Sequence, residues 1–187
     1  MDFEKLIKKR ASIKNYYQKK IRMEWAIEAI QAANLAPSPG NLPLLKFIIM
    51  QDYEKIKAIA QACRQSFISQ APVLVVVCSD SKNAEIMYGQ RAEKYIRQHA
   101  GAAIENFLLK ITNMGLASCW IGAFSDETVR NILEIPESIE IEAIFPIAYP
   151  SKIHPVEQRK KSSLENRIFF NTWKNKFLKP EKKIGGH

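Results

Sequence analysis

The chain has 187 residues, 47% of them hydrophobic and 25% charged, with a formal net charge of +9. That length suits one domain; no apolar run approaches the roughly 20 residues of a membrane span, and no apolar stretch near the N-terminus offers a secretory leader. The charge sits at the ends: residues 1–24 hold eight Lys/Arg against three acids, residues 151–187 hold ten against three, and residues 25–150 are net −3, which fits an anionic ligand gripped by both ends better than a nucleic-acid coat spread over one face.

In chain order, Asp2 is placed to cap a short helix with Phe3, Leu6 and Ile7 on one face. Met23, Ala26, Ile27, Ile30 and Ala33 repeat at helical period over 23–35. Pro37, Pro39 and Gly40 stop that helix and make a loop. Lys46–Gln51 reads as a strand, and Asp52 caps a helix over 53–63. After the break at Ala71-Pro72, Val73–Cys78 is continuously apolar, as in a strand buried on both faces. The segment 84–114 reads as helical, with Gln98–Gly101 as its expected weak point, Ala100–Met114 in the core and Gly115 at C′. Ala117–Ile121 reads as a strand. Ser125-Asp126-Glu127 starts a helix that ends before Pro136, and Glu142–Tyr149 is a strand closed by Pro150. From 151 the chain is polar and basic but keeps Ile168, Phe169, Phe170, Trp173, Phe177 and Leu178, too much apolar surface for a free tail. Helices and strands alternate irregularly, which predicts α+β rather than a doubly wound sheet.

Four stretches could carry chemistry. Arg10, Ser12 and Lys14 alternate, so an extended segment puts two cations and a hydroxyl on one face, suited to a phosphate or an electron-rich ring edge; a solvated basic surface reads the same way. The loop Pro37-Ser38-Pro39-Gly40-Asn41 offers short polar groups and a glycine that permits close approach, or is a plain turn. In Cys119-Trp120-Ile121-Gly122, Gly122 would let backbone N–H groups reach a flat ligand. Arg159, Lys160 and Lys161 form a cationic run, either a solvated face or a phosphate clamp. The three cysteines, Cys63, Cys78 and Cys119, are widely spaced and odd in number, which indicates reduced thiols and a cytoplasmic setting. With His99, His154 and His187 they make no metal-ligand spacing, so no metal is expected. No acid–base set, P-loop or dinucleotide fingerprint stands out, and an enzyme so equipped would borrow its chemistry from a cofactor.

Together these segments resemble the FMN-dependent nitroreductase family over residues 2–173, in four ordered blocks: Leu6–Lys14, Ala36–Leu42 with the strand after it, Ala71–Val77, and Gly101–Asn106 running on through Gly115–Gly122 to Ile135-Pro136-Glu137 and Ile147–Pro150. The resemblance implies an α+β fold with a central, mostly antiparallel sheet flanked by helices. It implies one domain over 1–187, an intertwined homodimer, and 151–187 docking on the partner subunit. FMN would lie at the subunit interface. Arg10 and Ser12 would bind its phosphate or ribityl region, Lys14 and Gln65 its pyrimidine edge, and Pro37, Ser38 and Asn41 would reach it from the other subunit. Cys119, Ile121 and Gly122 would pack on one face near N5, and Arg159 and Lys161 would close on the phosphate.

The implied activity is ping-pong hydride transfer from NAD(P)H through flavin N5 to a nitroaromatic or quinone, with neither nucleic acid nor membrane as partner. A specialised flavin reaction, dehalogenation or reduction of a conjugated double bond, is the alternative within the family. A basic nucleic-acid-binding module, suggested by the pI of about 9.5, is the alternative outside it. The chain departs from the family where Gln-Pro-Trp is usual, having Pro43-Leu44-Leu45, where an acid is usual, having His99, and in Lys161 for Arg.

Overall fold

The structure, a computed structural model, describes residues 2–151, 164 and 167–176. The chain divides into two compact units, Met1–Val156 and Glu157–His187.

The larger unit is organised by one central strand. Its elements are α1 (Phe3–Lys9), β1 (Tyr16–Tyr17), α2 (Met23–Asn34), β2 (Leu45–Met50), α3 (Tyr53–Ala62), β3 (Val73–Asp80), α4 (Lys82–Tyr88), α5 (Ala92–Asn113), α6 (Asp126–Leu133), β4 (Ile139–Ile147) and β5 (Tyr149–Pro150), with short 3₁₀ turns at Pro39–Asn41, Ser66–Gln70 and Gly89–Arg91. β3 lies between β2 and β4, antiparallel to both, and β1 pairs antiparallel with β5. Successive β3 side chains face opposite layers. Val73, Val75 and Val77 join a core with α2 and α5, while Leu74, Val76 and Cys78 join one with α3 and α6. Both faces are covered, which is why the sequence there is continuously apolar instead of alternating. Between Val77 and Cys78 the register with β4 shifts, and Glu142 is the extra residue of that bulge. Its carboxylate accepts from Ser79 Oγ at 2.6 Å and from Arg97 Nη1 at 2.7 Å, so the buried charge is paired.

The expected caps are in place. Asp52 accepts from the Lys55 N–H at 3.0 Å, Ser125 accepts from Thr128 N–H, and Gly115 follows α5 with φ +75°. Asp2 precedes α1 without a side-chain cap bond.

Four expectations need correction. The helix break falls at Gly89, whose φ 51°, ψ −128° is open to glycine, while Gln98–Gly101 lies inside an unbroken α5. Burial of Ala100, Ala103 and Ile104 around Gly101 offsets its low helix propensity. Ala117–Ile121 is not a strand: Ala117 bridges Ala148, Ser118 bridges Ser12 and Ile121 bridges Ile144, three partners within five residues. β4 starts earlier than Glu142, at Ile139, and is interrupted at Ala148. Finally, α2 buries Ala26, Ala29 and Ala33, leaving Met23 and Ile27 about 40% exposed.

In the smaller unit the Phe169 and Trp173 rings pack 4.5 Å apart between centroids, and Lys176 Nζ lies 4.3 Å from the Phe169 centroid. Part of the tail's aromatic surface is thus satisfied locally, while Trp173 stays exposed. Phe177 and Leu178 lie outside the described residues.

Candidate functional site

The alternation Arg10-Ala11-Ser12-Ile13-Lys14 is held extended by backbone pairing. Ser12 bridges Ser118 in parallel, and the Ile13 N–H donates to the Ser118 carbonyl at 3.0 Å. The segment after it is anchored too: Tyr16 is buried, its N–H donates to Gln70 Oε1 at 3.1 Å, and its hydroxyl donates to the Ile13 carbonyl. Burial and the neighbouring Cys119 push the Tyr16 phenol upward, so it stays neutral. Arg10 leaves the line to pair with Glu105 on α5, Nε to Oε1 at 3.1 Å. Lys14 Nζ lies 5.5 Å from the Phe67 ring centroid. Phe67 belongs to the 3₁₀ turn that follows Gln65, which brings the Gln65 segment beside Lys14.

Cys119 is buried next to this segment. Its thiol is pushed up by burial, against the opposing pull of the Lys14 charge and a hydrogen bond from Ser12. Burial likewise pushes the Cys63 and Cys78 thiols up to about 11. All three are free, buried thiols, held in the protonated and poorly nucleophilic form. Ile121 is buried against β4, and Gly122 is exposed beyond it. A Cβ built on Gly122 would meet only Trp120 Nε1, at 4.0 Å, so this glycine leaves open space rather than relieving a clash in the chain. Ser118 Oγ is buried and has no hydrogen-bond partner among the described residues.

Pro37, Ser38 and Asn41 stand on a different support. Gly40 and Asn41 both adopt left-handed backbone, φ 57° and 56°, and tuck the loop against the end of α4. The approach is close: a Cβ on Gly40 would lie 2.7 Å from the Tyr88 hydroxyl. Leu44, where the family pattern departs, is buried beneath the loop with Ala84, Ala92 and Ile96. Between loop and helix lies a cleft of about 450 Å³ lined by Pro37, Ser38, Pro39, Tyr88, Tyr95, Gln98, His99 and Ala102. The predicted residues therefore form two groups: Arg10, Ser12, Lys14, Gln65, Cys119, Ile121 and Gly122 in one, and Pro37, Ser38 and Asn41 in the other. Both rest on α5, Arg10 through Glu105 and the loop through the cleft wall Gln98–Ala102. Arg159 and Lys161 lie outside the described residues.

Sequence reasoning assigned no role to Glu105, Ser118, Tyr88 or Tyr95. Glu105 stands in one of the blocks that carry the resemblance, yet nothing local pairs it with Arg10.

The model of the nitroreductase family matches residues 7–69 and 53–149. The chain belongs to the nitroreductase family. A protein of Archaeoglobus fulgidus, named as a candidate NADH dehydrogenase/NAD(P)H nitroreductase, is 32% identical over 151 residues, 78% of this chain and 84% of that one. The FMN reductase [NAD(P)H] of Bacillus subtilis is 27% identical over 165 residues, 80% of this chain and 64% of that one. The FMN-dependent nitroreductase of Clostridium difficile R20291 superposes with a TM-score of 0.74 at 25% identity, covering 90% of this chain and 98% of that one. This nitroreductase-family chain is therefore an oxidoreductase of an FMN-dependent family with the α+β nitroreductase fold.

The residues present fit FMN. Lys14 and the Ser12 hydroxyl belong to the segment bridged to Ser118, and Arg10, paired with Glu105, stands two residues before Ser12, a donor set suited to a phosphate and a polar ring edge. Among the described residues no helix is long and apolar enough to cross a membrane, and no His/Cys/Asp/Glu cluster could hold a metal ion.

Proposed function

We infer that the protein is an NAD(P)H-dependent flavin oxidoreductase that passes hydride to an electron-poor acceptor, a nitroaromatic or a quinone, in alternating half-reactions. FMN, when bound, would supply the hydride chemistry. The chain's own residues bind and orient. Arg10 and Ser12 hold the phosphate end, and Lys14 sets a positive charge by the pyrimidine edge, where it favours the electron-rich ring. Gln65 hydrogen-bonds that edge. Cys119 and Ile121 wall one face, and the open space at Gly122 lets a backbone N–H approach N5. The single observation that carries this reading is the Ser12–Ser118 bridge, which brings the cationic segment against the Cys119–Gly122 segment.

The site is shared by two copies of the chain in this reading, with Pro37, Ser38 and Asn41 reaching the flavin of the second copy. Two helices support it by leaving apolar side chains uncovered: Phe3 (62% exposed) and Ile7 on α1, Met23 and Ile27 on α2. The enzyme works in the cytoplasm, which three free thiols support.

Anaerobic mixing of the purified yellow protein with NADH or NADPH tests the reading. The flavin band should bleach and return when a quinone is added, with sedimentation as a dimer. A flavin band that neither nicotinamide bleaches, or a monomer that retains full activity, contradicts it.

A further inference from the structure

In the function proposed above Arg10 meets a phosphate, yet its own surroundings in the chain do little to place it. It follows α1 directly, and none of the seven residues of that helix is buried. The Ser12–Ser118 bridge fixes backbone two residues later and leaves the guanidinium free to move. An arginine side chain has many rotamers, and ordering it only when the ligand arrives subtracts from affinity.

Glu105 supplies the missing support. It stands on α5, a 22-residue helix with Ala103, Ile104, Phe107 and Leu108 buried around it, so its backbone is fixed by the core. Its Oε1 lies 3.1 Å from Arg10 Nε. Nε is the inner nitrogen of the guanidinium, and no second acceptor engages that group among the described residues. The outer nitrogens Nη1 and Nη2 are left for another anion, which a guanidinium edge can meet with two parallel N–H groups. The partners differ in exposure: the Arg10 side chain is 17% exposed and that of Glu105 47%. Water around the carboxylate weakens both the pair's contribution to stability and its repulsion of an incoming phosphate. Its effect on where the guanidinium lies remains.

We propose that Glu105 is a positioning residue of the cofactor site: its carboxylate holds the Arg10 guanidinium by Nε, so that the Nη edge is in place for the FMN phosphate before the ligand arrives, and it makes no contact with the ligand itself. The assignment rests on reading Arg10 as a phosphate contact.

The test is calorimetric titration of the full-length apoprotein with FMN and with riboflavin, which carries no phosphate. Wild type is compared with Glu105→Gln, Glu105→Asp, Arg10→Ala and the double variant Arg10→Ala/Glu105→Gln. Glu105→Gln keeps the shape and removes the charge, and should weaken FMN by roughly three- to tenfold while leaving riboflavin affinity and Tm unchanged. Glu105→Asp keeps the charge and should retain more FMN affinity than Glu105→Gln. With Arg10 already replaced by alanine, Glu105→Gln should cost nothing further, because no guanidinium is left to position. A merely structural role would lower riboflavin affinity or Tm as well, and would persist without Arg10.

Tighter FMN binding by Glu105→Gln would show that the carboxylate competes with the phosphate, and overturns the proposal. So do unchanged FMN binding, an equal loss for both flavins, an Asp variant as weak as the Gln one, or a further loss in the double variant. Wild type and Arg10→Ala read the flavin assignment separately. A preference for FMN that Arg10→Ala erases leaves that assignment standing even where Glu105→Gln is silent. Equal affinity of the wild type for the two flavins overturns the phosphate contact and, with it, the positioning role.

Discussion

The segment Arg10–Lys14 and the cleft beside Pro37–Pro39 are built on opposite principles. In the function proposed above the first recognises by charge, with two cations and a hydroxyl provided by five consecutive residues and a backbone bridge to Ser118 holding the segment extended. The second is uncharged and assembled from three separate stretches, the loop, the end of α4 and one face of α5. A charge-bearing segment can be repaired or spoiled one residue at a time. A packed cleft depends on residues that meet only after folding, so its shape is sensitive to single substitutions in any of the three stretches.

Breaking the charged side should have the largest effect. Gly122 is not among the glycines with positive φ and has open space around it, so Gly122→Val should leave stability within about 0.5 kcal/mol. The new side chain would fill the space assigned to the flavin ring, and a displacement of about 1 Å there should lower kcat/KM by up to about 100-fold. Steady-state kinetics beside a thermal melt separates the two effects. Arg10→Ala removes one charge-assisted contact to the phosphate, about 1.5–3 kcal/mol, or roughly 10–100-fold in FMN affinity. A fluorescence titration of apoprotein with FMN reads this directly.

On the neutral side the effects fall on the fold first. Gly40→Ala puts a Cβ on a left-handed backbone, φ +57°, which should cost about 1–2 kcal/mol and lower Tm by several degrees, while the Tyr88 hydroxyl and Met87 sulfur, ends of flexible side chains, move aside. Against Gly122→Val it forms a clean contrast: one glycine is required by the chain, the other by the ligand.

The smallest effect belongs to His99. Its folded pKa is lowered by burial, so between that value and the unfolded value near 6.5 the unfolded chain binds the extra proton. His99 therefore costs no stability above about pH 6.5 and destabilises progressively as the pH falls through that value toward the folded pKa. His99→Gln should flatten this part of the stability profile, seen as a smaller loss of Tm between neutral and mildly acid pH.

The same contrast explains what could be read in the sequence. β3 announced itself because both its faces are covered, and the caps at Asp52 and Ser125 and the turn at Gly115 are local chemistry. Arg10, Ser12 and Lys14 were visible because alternation along an extended segment needs no tertiary knowledge. The break at Gly89 was missed because the Gly101 region looked weaker by propensity, whereas its buried alanines keep the helix whole. Ala117–Ile121 has the composition of a strand, but its residues are shared among three partners, which no local pattern encodes. On α2 the inward face is alanine and the larger side chains point outward, so hydrophobicity alone selects a face rotated from the buried one. The cleft that His99 lines is drawn from the loop, the end of α4 and α5, which no local pattern brings together.

The central claim is that the Arg10–Lys14 segment recognises the phosphate end of a flavin. Calorimetric titration of the apoprotein with FMN and with riboflavin, which lacks only the phosphate, tests this most directly. FMN should bind at least about tenfold more tightly than riboflavin, and Arg10→Ala should erase most of that difference while changing riboflavin affinity little. Equal affinities for the two flavins, or a phosphate preference that Arg10→Ala leaves intact, would contradict the account.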